Sequence, residues 1–231
     1  MLRLNELLVV IPAFNEEDSI AETIADVQRN IPWAEILVVN DGSSDKTIEK
    51  VKHSKVKLIS LPFNCGVGAA LRTGLMYGSD NNYEKILIID GDGQHPADQA
   101  VKILQTGHQK SLVVGVRSYD AYQFSRVRKN AHRFLVFMLR VRTGIRIQDP
   151  TSGYRLFSNY AARQLIADIG NDYLEDTVGI LQKIGSYGIE LAQIEVHMNQ
   201  RQKGIQSNKG YELVKRFIVA LLMILTGRSN K

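Results

Sequence analysis

Apolar and polar positions alternate in blocks through the first half of the chain. Runs rich in valine, isoleucine and leucine occupy 7–11, 35–40, 56–61, 86–90 and 112–116. Near-continuous apolar runs of that length are the pattern of parallel strands buried on both faces. Between them, 19–29, 46–53, 67–77 and 97–106 carry helical patterns. Strand and helix alternating at this spacing predict an α/β fold: a mostly parallel sheet covered by helices on both faces.

The second half is less regular. Residues 124–141 form a basic, apolar-rich helical stretch, and 149–154 read as a turn, because the residue before Pro150 avoids the helical region. Helices are expected over 159–169 and 173–184, and a strand at the sheet margin over 189–197. No repeat, low-complexity tract or linker interrupts the pattern, so 1–210 reads as one domain. A last helix over 211–225 turns apolar all round from Phe217 to Leu225, shorter than the roughly 20 residues a membrane span needs. Flanked by Lys215, Arg216 and Arg228, the segment 211–231 suits a membrane interface or a partner's membrane helix. The plainer alternative is a buried C-terminal helix of the domain.

Composition changes the picture only in part. The chain of 231 residues is 44% hydrophobic and 23% charged, a soluble globular balance with ample core. Its one cysteine, Cys65, excludes an internal disulfide and a cysteine-built zinc site, and fits a reducing cytoplasm. The N-terminus runs straight into a strand, without a signal-peptide pattern. The net charge of +5 is unevenly placed: 117–146 holds many arginines with Asp120 as its only acid, and from 201 onward Glu212 is the only acid. Anionic lipid headgroups or a phosphorylated substrate suit such surfaces; nucleic acid would too, but is not expected as a partner.

The chemistry-bearing residues gather at the ends of the predicted strands. The first ends in Pro12-Ala13-Phe14-Asn15-Glu16-Glu17 and the second in Asn40-Asp41-Gly42-Ser43-Ser44-Asp45. The third leads to Asn64-Cys65-Gly66-Val67-Gly68, and the fourth to Asp90-Gly91-Asp92-Gly93-Gln94-His95. Open α/β sheets bind ligands at the carboxyl ends of their strands. Two carboxylates one residue apart repel unless something positive lies between them, and a divalent cation holding phosphate oxygens is the usual solution. Glycines beside them let backbone and ligand approach closely. Alone, the Asp90-x-Asp92 pair also suits an acidic turn capping the next helix, and the 41–45 run a turn with a helix N-cap. Gly66-x-Gly68 lacks the third glycine of a dinucleotide fingerprint, position 71 being leucine, and no lysine-bearing phosphate loop occurs. A nicotinamide or ATP site is disfavoured.

In their order, Ile11-Pro12-Ala13-Phe14-Asn15-Glu16, Asn40-Asp41-Gly42-Ser43, Gly66-Val67-Gly68-Ala69-Ala70 and Asp90-Gly91-Asp92-Gly93-Gln94-His95-Pro96 resemble the family-two inverting glycosyltransferases, whose nucleotide-sugar-binding fold is called GT-A. Asp149-Pro150-Thr151-Ser152-Gly153-Tyr154-Arg155 narrows the likeness to the dolichyl-phosphate-mannosyltransferase-like branch. Bacterial members of that branch load a hexose onto undecaprenyl phosphate. The resemblance implies a nucleotide-sugar site built from Pro12, Ala13, Phe14, Glu16, Asn40, Asp41, Asp90, Gly91, Asp92 and Gln94. In its nucleoside pocket a carboxylate accepts from a base N–H or a ribose hydroxyl. Asp90, Asp92 and Gln94 would hold Mg²⁺ or Mn²⁺, which suit hard oxygen ligands and would stabilise the leaving nucleoside diphosphate. His95 reads as a neighbour of that site or as a structural histidine.

An acceptor phosphate is already anionic, its second pKa lying about 6 by analogy with phosphorylated side chains. It needs neutralising and positioning more than a base. Arg117, Arg126, Arg128, Lys129 and Arg133 supply charge, and the resemblance adds Asp149, Ser152, and a closing loop of Arg201 with Lys203 or Lys209. Arg201 and Gly204 keep the family's spacing, whereas Ser207 and Lys209, split by Asn208, depart from it. Asp92, Arg117 and Arg201 are the residues expected to carry catalysis.

The expected activity is transfer of a hexose from a UDP-sugar, in preference to GDP-mannose, to polyprenyl phosphate for cell-envelope glycan synthesis. The enzyme would work at the cytoplasmic face of a membrane, with a small membrane protein or further copies of itself as partner. Two alternatives stay open. Glu175 and Asp176 resemble an acidic pair that serves as base for a sugar-hydroxyl acceptor, although they also suit the first turn of a helix. The chain could instead be a non-catalytic nucleotide-sugar-binding module. The Gln-x-x-Arg-Trp motif of processive synthases is absent, the only tryptophan being Trp33.

Overall fold

Seven strands build one sheet in the computed structural model, which describes residues 6–117, 126–170, 175–199 and 224. They are β1 (Leu7–Ala13), β2 (Glu35–Asn40), β3 (Lys57–Ser60), β4 (Lys85–Ile88), β5 (Ser111–Arg117), β6 (Arg155–Ser158) and β7 (Glu190–Val196), in the order β3-β2-β1-β4-β6-β5-β7. Every pairing is parallel except those of β6, which runs against both β4 and β5. The described α-helices are α1 (Ile20–Asn30), α2 (Thr47–His53), α3 (Val67–Asp80), α4 (Ala100–Thr106), α5 (Arg126–Thr143), α6 (Asn159–Leu165) and α7 (Glu175–Lys183).

Period-two alternation splits the strand residues between two cores. Leu8 and Val10 join α3, α5, α6 and α7 on one face, while Val9 and Ile11 join α1, α2 and α4 on the other. The mostly parallel, doubly covered sheet predicted from the pattern is thus the observed one. From β1 the chain steps outward to β2 and β3 through α1 and α2 on one face, then returns through α3 on the other face to β4, on the far side of β1. Right-handed crossovers require that change of face when the direction along the sheet reverses. The reversal opens a crevice between the carboxyl ends of β1 and β4. Helix α3 seats closely because Gly74 and Gly78 face the sheet: a Cβ at Gly74 would collide with Val10, and one at Gly78 would lie 2.5 Å from Ile86 Cδ1.

Expected elements are displaced by a few residues at most, with informative exceptions. Strand β4 stops at Ile88, so Asp90 lies beyond the sheet, although the Ile89 N–H still reaches Val10 O at 3.0 Å. Residues 97–106 divide into a 3₁₀ turn, Ala97–Gln99, followed by α4. Strand β6 was not foreseen, because four residues beginning with an arginine carry no readable period. Its antiparallel sense brings its first residue, Arg155, to the crevice edge and delivers the 149–154 turn there. Of 211–231 only Ile224 is described; it is helical and buried in the cluster that contains Leu135 and Ile180. Among the described residues no helix is long and apolar enough to cross a membrane.

Gly74→Val should wedge α3 off β1 and cost about 1–3 kcal/mol, the usual range for overpacking a tight core. Urea unfolding would show a lower midpoint; an unchanged midpoint would contradict the close seating.

Candidate active site

Three loops are laced together where β1, β2 and β3 end. Asp41 N–H donates to Ala13 O at 2.8 Å and Leu61 N–H to Asn40 O at 2.8 Å. Asn15, held at φ 54°, accepts the Ser44 N–H at 2.9 Å and donates its own N–H to Ser43 Oγ at 2.9 Å. Gly42, at φ +68°, lies so near the 63–64 backbone that a Cβ there would stand 2.5 Å from the Phe63 carbonyl carbon. Buried Asn40 accepts the Ser43 N–H at 3.2 Å and shapes this turn. Phe14 projects from the rim, 40% exposed.

The structure gives Asp41 a bracing task that its place in the motif does not announce. Its carboxylate is 3% exposed and accepts two backbone N–H groups, Cys65 at 2.7 Å and Gly66 at 2.9 Å. Burial raises its pKa against the pull of those two donors. Asp41 therefore pins the loop before α3, and each of its oxygens keeps a further lone pair. The turn geometry of β2 aims the side chain sideways toward β3, which sequence spacing does not reveal.

Across the crevice, the 90–95 loop packs directly on the first motif. A Cβ on Gly91 would stand 3.1 Å from Pro12 O, 3.6 Å from Ala13 Cβ and 3.6 Å from Glu16 Cγ. Thr23 Oγ1 donates to Gly91 O at 3.2 Å, and Ser19 Oγ to Glu16 Oε2 at 2.8 Å. Gly93, at φ +75°, turns the chain so that Gln94 clasps Asp92, its N–H reaching Oδ1 at 3.0 Å and its Nε2 reaching Oδ2 at 2.7 Å. The Asp90 side chain is 40% exposed. Among the described residues no group of three or more His, Cys, Asp or Glu encloses a metal. Two carboxylates and an amide oxygen at an open edge fit an ion such as Mg²⁺ or Mn²⁺, which keeps waters and bridges substrate phosphates.

The 149–155 turn closes the other side. Ser152 is fully buried; its Oγ donates to Gly115 O at 2.6 Å and accepts the Tyr154 N–H at 3.3 Å. Arg155 is buried as well and donates from Nε to Ser152 O at 2.8 Å. Asp149 accepts from Thr151 N at 3.0 Å and from Thr151 Oγ1 at 2.7 Å, and lies 3.7 Å from His132 Nε2 of α5. Burial pushes the Asp149 carboxyl up, but His132, Thr151 and Arg117 outweigh it and hold the pKa below the usual carboxylate range. Expected beside the acceptor, Asp149 and Ser152 instead brace the turn. Arg117, at the end of β5, donates from Nε to Met198 Sδ at 3.1 Å.

Buried His95 lies where these groups converge. Burial dominates its pKa and lowers it to about 4; Asp92 and Asp149 oppose that shift, while Arg117 and Arg155 reinforce it. The structure thus gathers Pro12, Ala13, Glu16, Asp90, Gly91, Asp92, Gln94 and Arg117 about one crevice. The side chains of Arg126, Arg128 and Lys129, and of Glu175 and Asp176, lie outside the described residues, as do Arg201, Lys203 and Lys209. Arg133 is described and exposed on α5. Asn199 went unnoticed in the sequence: its N–H donates to Gln94 O at 3.0 Å and its Nδ2 to Gly93 O at 3.3 Å. The signal was there, because a strand parallel to β5 must end at the crevice edge.

Comparison with known proteins bears on the family and the fold. The model of the family described as Glycosyl transferase family 2 matches residues 8–166. A dolichyl-phosphate beta-glucosyltransferase of Trichomonas vaginalis is 34% identical over 181 residues, covering 68% of this chain and 52% of its own, so the chain spans about half that relative's length. A UDP-N-acetylglucosamine–dolichyl-phosphate N-acetylglucosaminyltransferase of Methanococcus voltae is 30% identical over 181 residues, covering 69% of this chain and 72% of its own. In fold, the chain is similar to glucosyl-3-phosphoglycerate synthase of Mycobacterium tuberculosis, crystallised with Mn²⁺, UDP-glucose and phosphoglyceric acid. The TM-score is 0.74 at 22% identity, over 98% of this chain and 82% of that one.

Asp149→Asn should destabilise the fold by about 1–3 kcal/mol at neutral pH, since it weakens a buried, hydrogen-bonded charge. A depressed carboxyl pKa contributes fully above the unfolded value of about 3.9 and is lost as pH falls through the folded value. The gap between wild type and variant in urea unfolding should therefore shrink below about pH 4. A gap that did not shrink there would refute the assignment.

Proposed function

The chain belongs to glycosyl transferase family 2 and is a glycosyltransferase of GT-A architecture, and from that premise we propose that it transfers a hexose, with inversion, from a nucleoside-diphosphate sugar to a polyprenyl phosphate. The observation that carries this reading is the meeting, in one crevice, of the Asp90–Asp92 loop with Arg117 and the 149–155 turn. Carboxylates on one side suit a cation-bound diphosphate, and a guanidinium on the other suits an anionic acceptor.

In the proposed step an acceptor phosphate oxygen attacks the anomeric carbon. The new carbon–oxygen bond forms as the bond to the diphosphate oxygen breaks, and the nucleoside diphosphate departs with the electron pair. Asp90, Asp92 and Gln94 would hold a divalent cation, which supplies positive charge for the leaving diphosphate. Arg117 orients and neutralises the acceptor; Arg201, two residues beyond the Asn199 clasp, is proposed to close over both phosphates. No proton need be removed from a phosphate already ionised near neutral pH. A UDP-sugar is the preferred donor, in keeping with the name of the Methanococcus relative and with the UDP-glucose bound to the mycobacterial neighbour.

The acceptor would be met at the cytoplasmic face of a membrane. Support comes from α5, whose Leu135 and Leu139 enter the core while Phe134, Phe137 and Val141 are 46%, 59% and 67% exposed. Arg133, Arg140 and Arg142 are exposed around them, and the helix carries no acid. A basic helix with an outward apolar stripe suits an anionic bilayer surface.

Incubation with Mg²⁺, a panel of radiolabelled nucleotide sugars and undecaprenyl phosphate should carry label into an organic extract. Lipid-independent transfer to a glycan would favour a hydroxyl acceptor, and nucleotide binding without turnover a non-catalytic module. Asp92→Asn should lower turnover by at least about a hundredfold with an unchanged melting temperature, by analogy with the loss of a charge-stabilising group at a reacting centre. Near-normal turnover would remove Asp92 from the cation site. Phe134→Ser with Phe137→Ser should reduce cosedimentation with anionic vesicles while leaving UDP affinity unchanged; undiminished cosedimentation would refute α5 as the contact.

A further inference from the structure

His95 has no task in the proposed transfer, yet its surroundings are specific. Its side chain is fully buried, and its ring stacks on Tyr154 with centroids 4.8 Å apart and planes 17° apart. Nδ1 accepts the Asp90 backbone N–H at 3.1 Å, which places the ring proton on Nε2 and leaves the imidazole neutral. Nε2 has no hydrogen-bond partner among the described residues. A buried donor without a partner is costly, and an apolar side chain would fill the same space without that cost. The nitrogen that is paired, Nδ1, therefore accounts for a histidine here, and what it holds is Asp90.

Gly153 meets the same aspartate from the other side. A Cβ there would stand 2.9 and 3.0 Å from the two Asp90 carboxylate oxygens and 3.2 Å from His95 Cε1. A side chain at this position would displace the Asp90 carboxylate without straining the backbone. Asp90 is thus held at its amide by His95, while the missing side chain of Gly153 leaves its carboxylate the space it occupies. Tyr154, next in the chain, stacks on His95 and donates from its hydroxyl to Pro96 O at 3.0 Å, which locks the turn onto the acidic loop.

We infer that His95 and Gly153 are positioning residues for Asp90, so that the turn on the acceptor side sets the aim of a carboxylate on the donor side. The inference rests on Asp90 being a cation ligand, as proposed above. Groups that orient a ligand typically change metal affinity by roughly 10- to 100-fold when removed. His95→Leu keeps apolar bulk but leaves the Asp90 amide without its acceptor, and Mn²⁺ affinity in the presence of UDP should fall at least about tenfold. His95→Asn offers a carbonyl oxygen near the place of Nδ1 and should restore affinity to within a few-fold of wild type. Gly153→Ala pushes a methyl group into the Asp90 carboxylate and should lower affinity about as much as the leucine variant.

The test titrates Mn²⁺ into the full chain with UDP present, follows free Mn²⁺ by electron paramagnetic resonance, and records thermal melting in parallel. Loss in the leucine and alanine variants with rescue by asparagine supports the inference. Wild-type affinity in folded His95→Leu and Gly153→Ala overturns it, and equal loss in the leucine and asparagine variants overturns the role of Nδ1. Should the leucine variant fail to fold, Gly153→Ala decides alone. If the wild-type chain itself takes up no Mn²⁺ with UDP, the cation site falls, and this inference with it.

Discussion

Because β1 lies between β2 and β4, and the chain reaches those neighbours by helices on opposite faces, the loops after β1 and β4 have to part at their carboxyl ends. The crevice depends on that parting. Gly91 lets the start of the acidic loop rest on Pro12, Ala13 and Glu16 without a side chain between them. Gly74 and Gly78 serve the same end from below, bringing α3 onto β1 and β4. Were β4 to pair elsewhere, the two carboxylates would have no opposing wall.

The acceptor side is built by burying charge. Arg155 and Asp149 are 4% and 7% exposed, a placement that is costly unless each group is paired and hydrogen-bonded. Here both are committed to the turn, Arg155 to Ser152 O and Asp149 to Thr151 with His132 alongside. These commitments brace the turn, and Arg117 stands partly exposed beside it at the end of β5.

The same turn joins the two halves of the proposed site. Through Gly153 and Tyr154 it touches Asp90 and His95, so a displacement on the acceptor side would be felt by the donor side. The membrane reading of α5 enters through His132, which lies on the helix that bears the exposed phenylalanines and also beside Asp149. A lipid surface, an acceptor phosphate and a donor diphosphate would thus meet along one continuous set of contacts.

Much of this was legible in the residues themselves. The apolar runs declared β1, β2, β4 and β5, because strands buried on both faces need an apolar residue at nearly every position, and the motif order declared the family. β6 was not legible: four residues carry no period, and the antiparallel pairing that makes 155–158 a strand comes from neighbours distant in sequence. The tasks of Asp41, Asp149 and Ser152 escaped for the same reason, since a polar side chain in a loop announces that it will bond but not to what. Local chemistry determined which residues stand at the strand ends; which of them face a ligand and which hold the backbone was decided by burial, a property of the assembled fold and of no single segment.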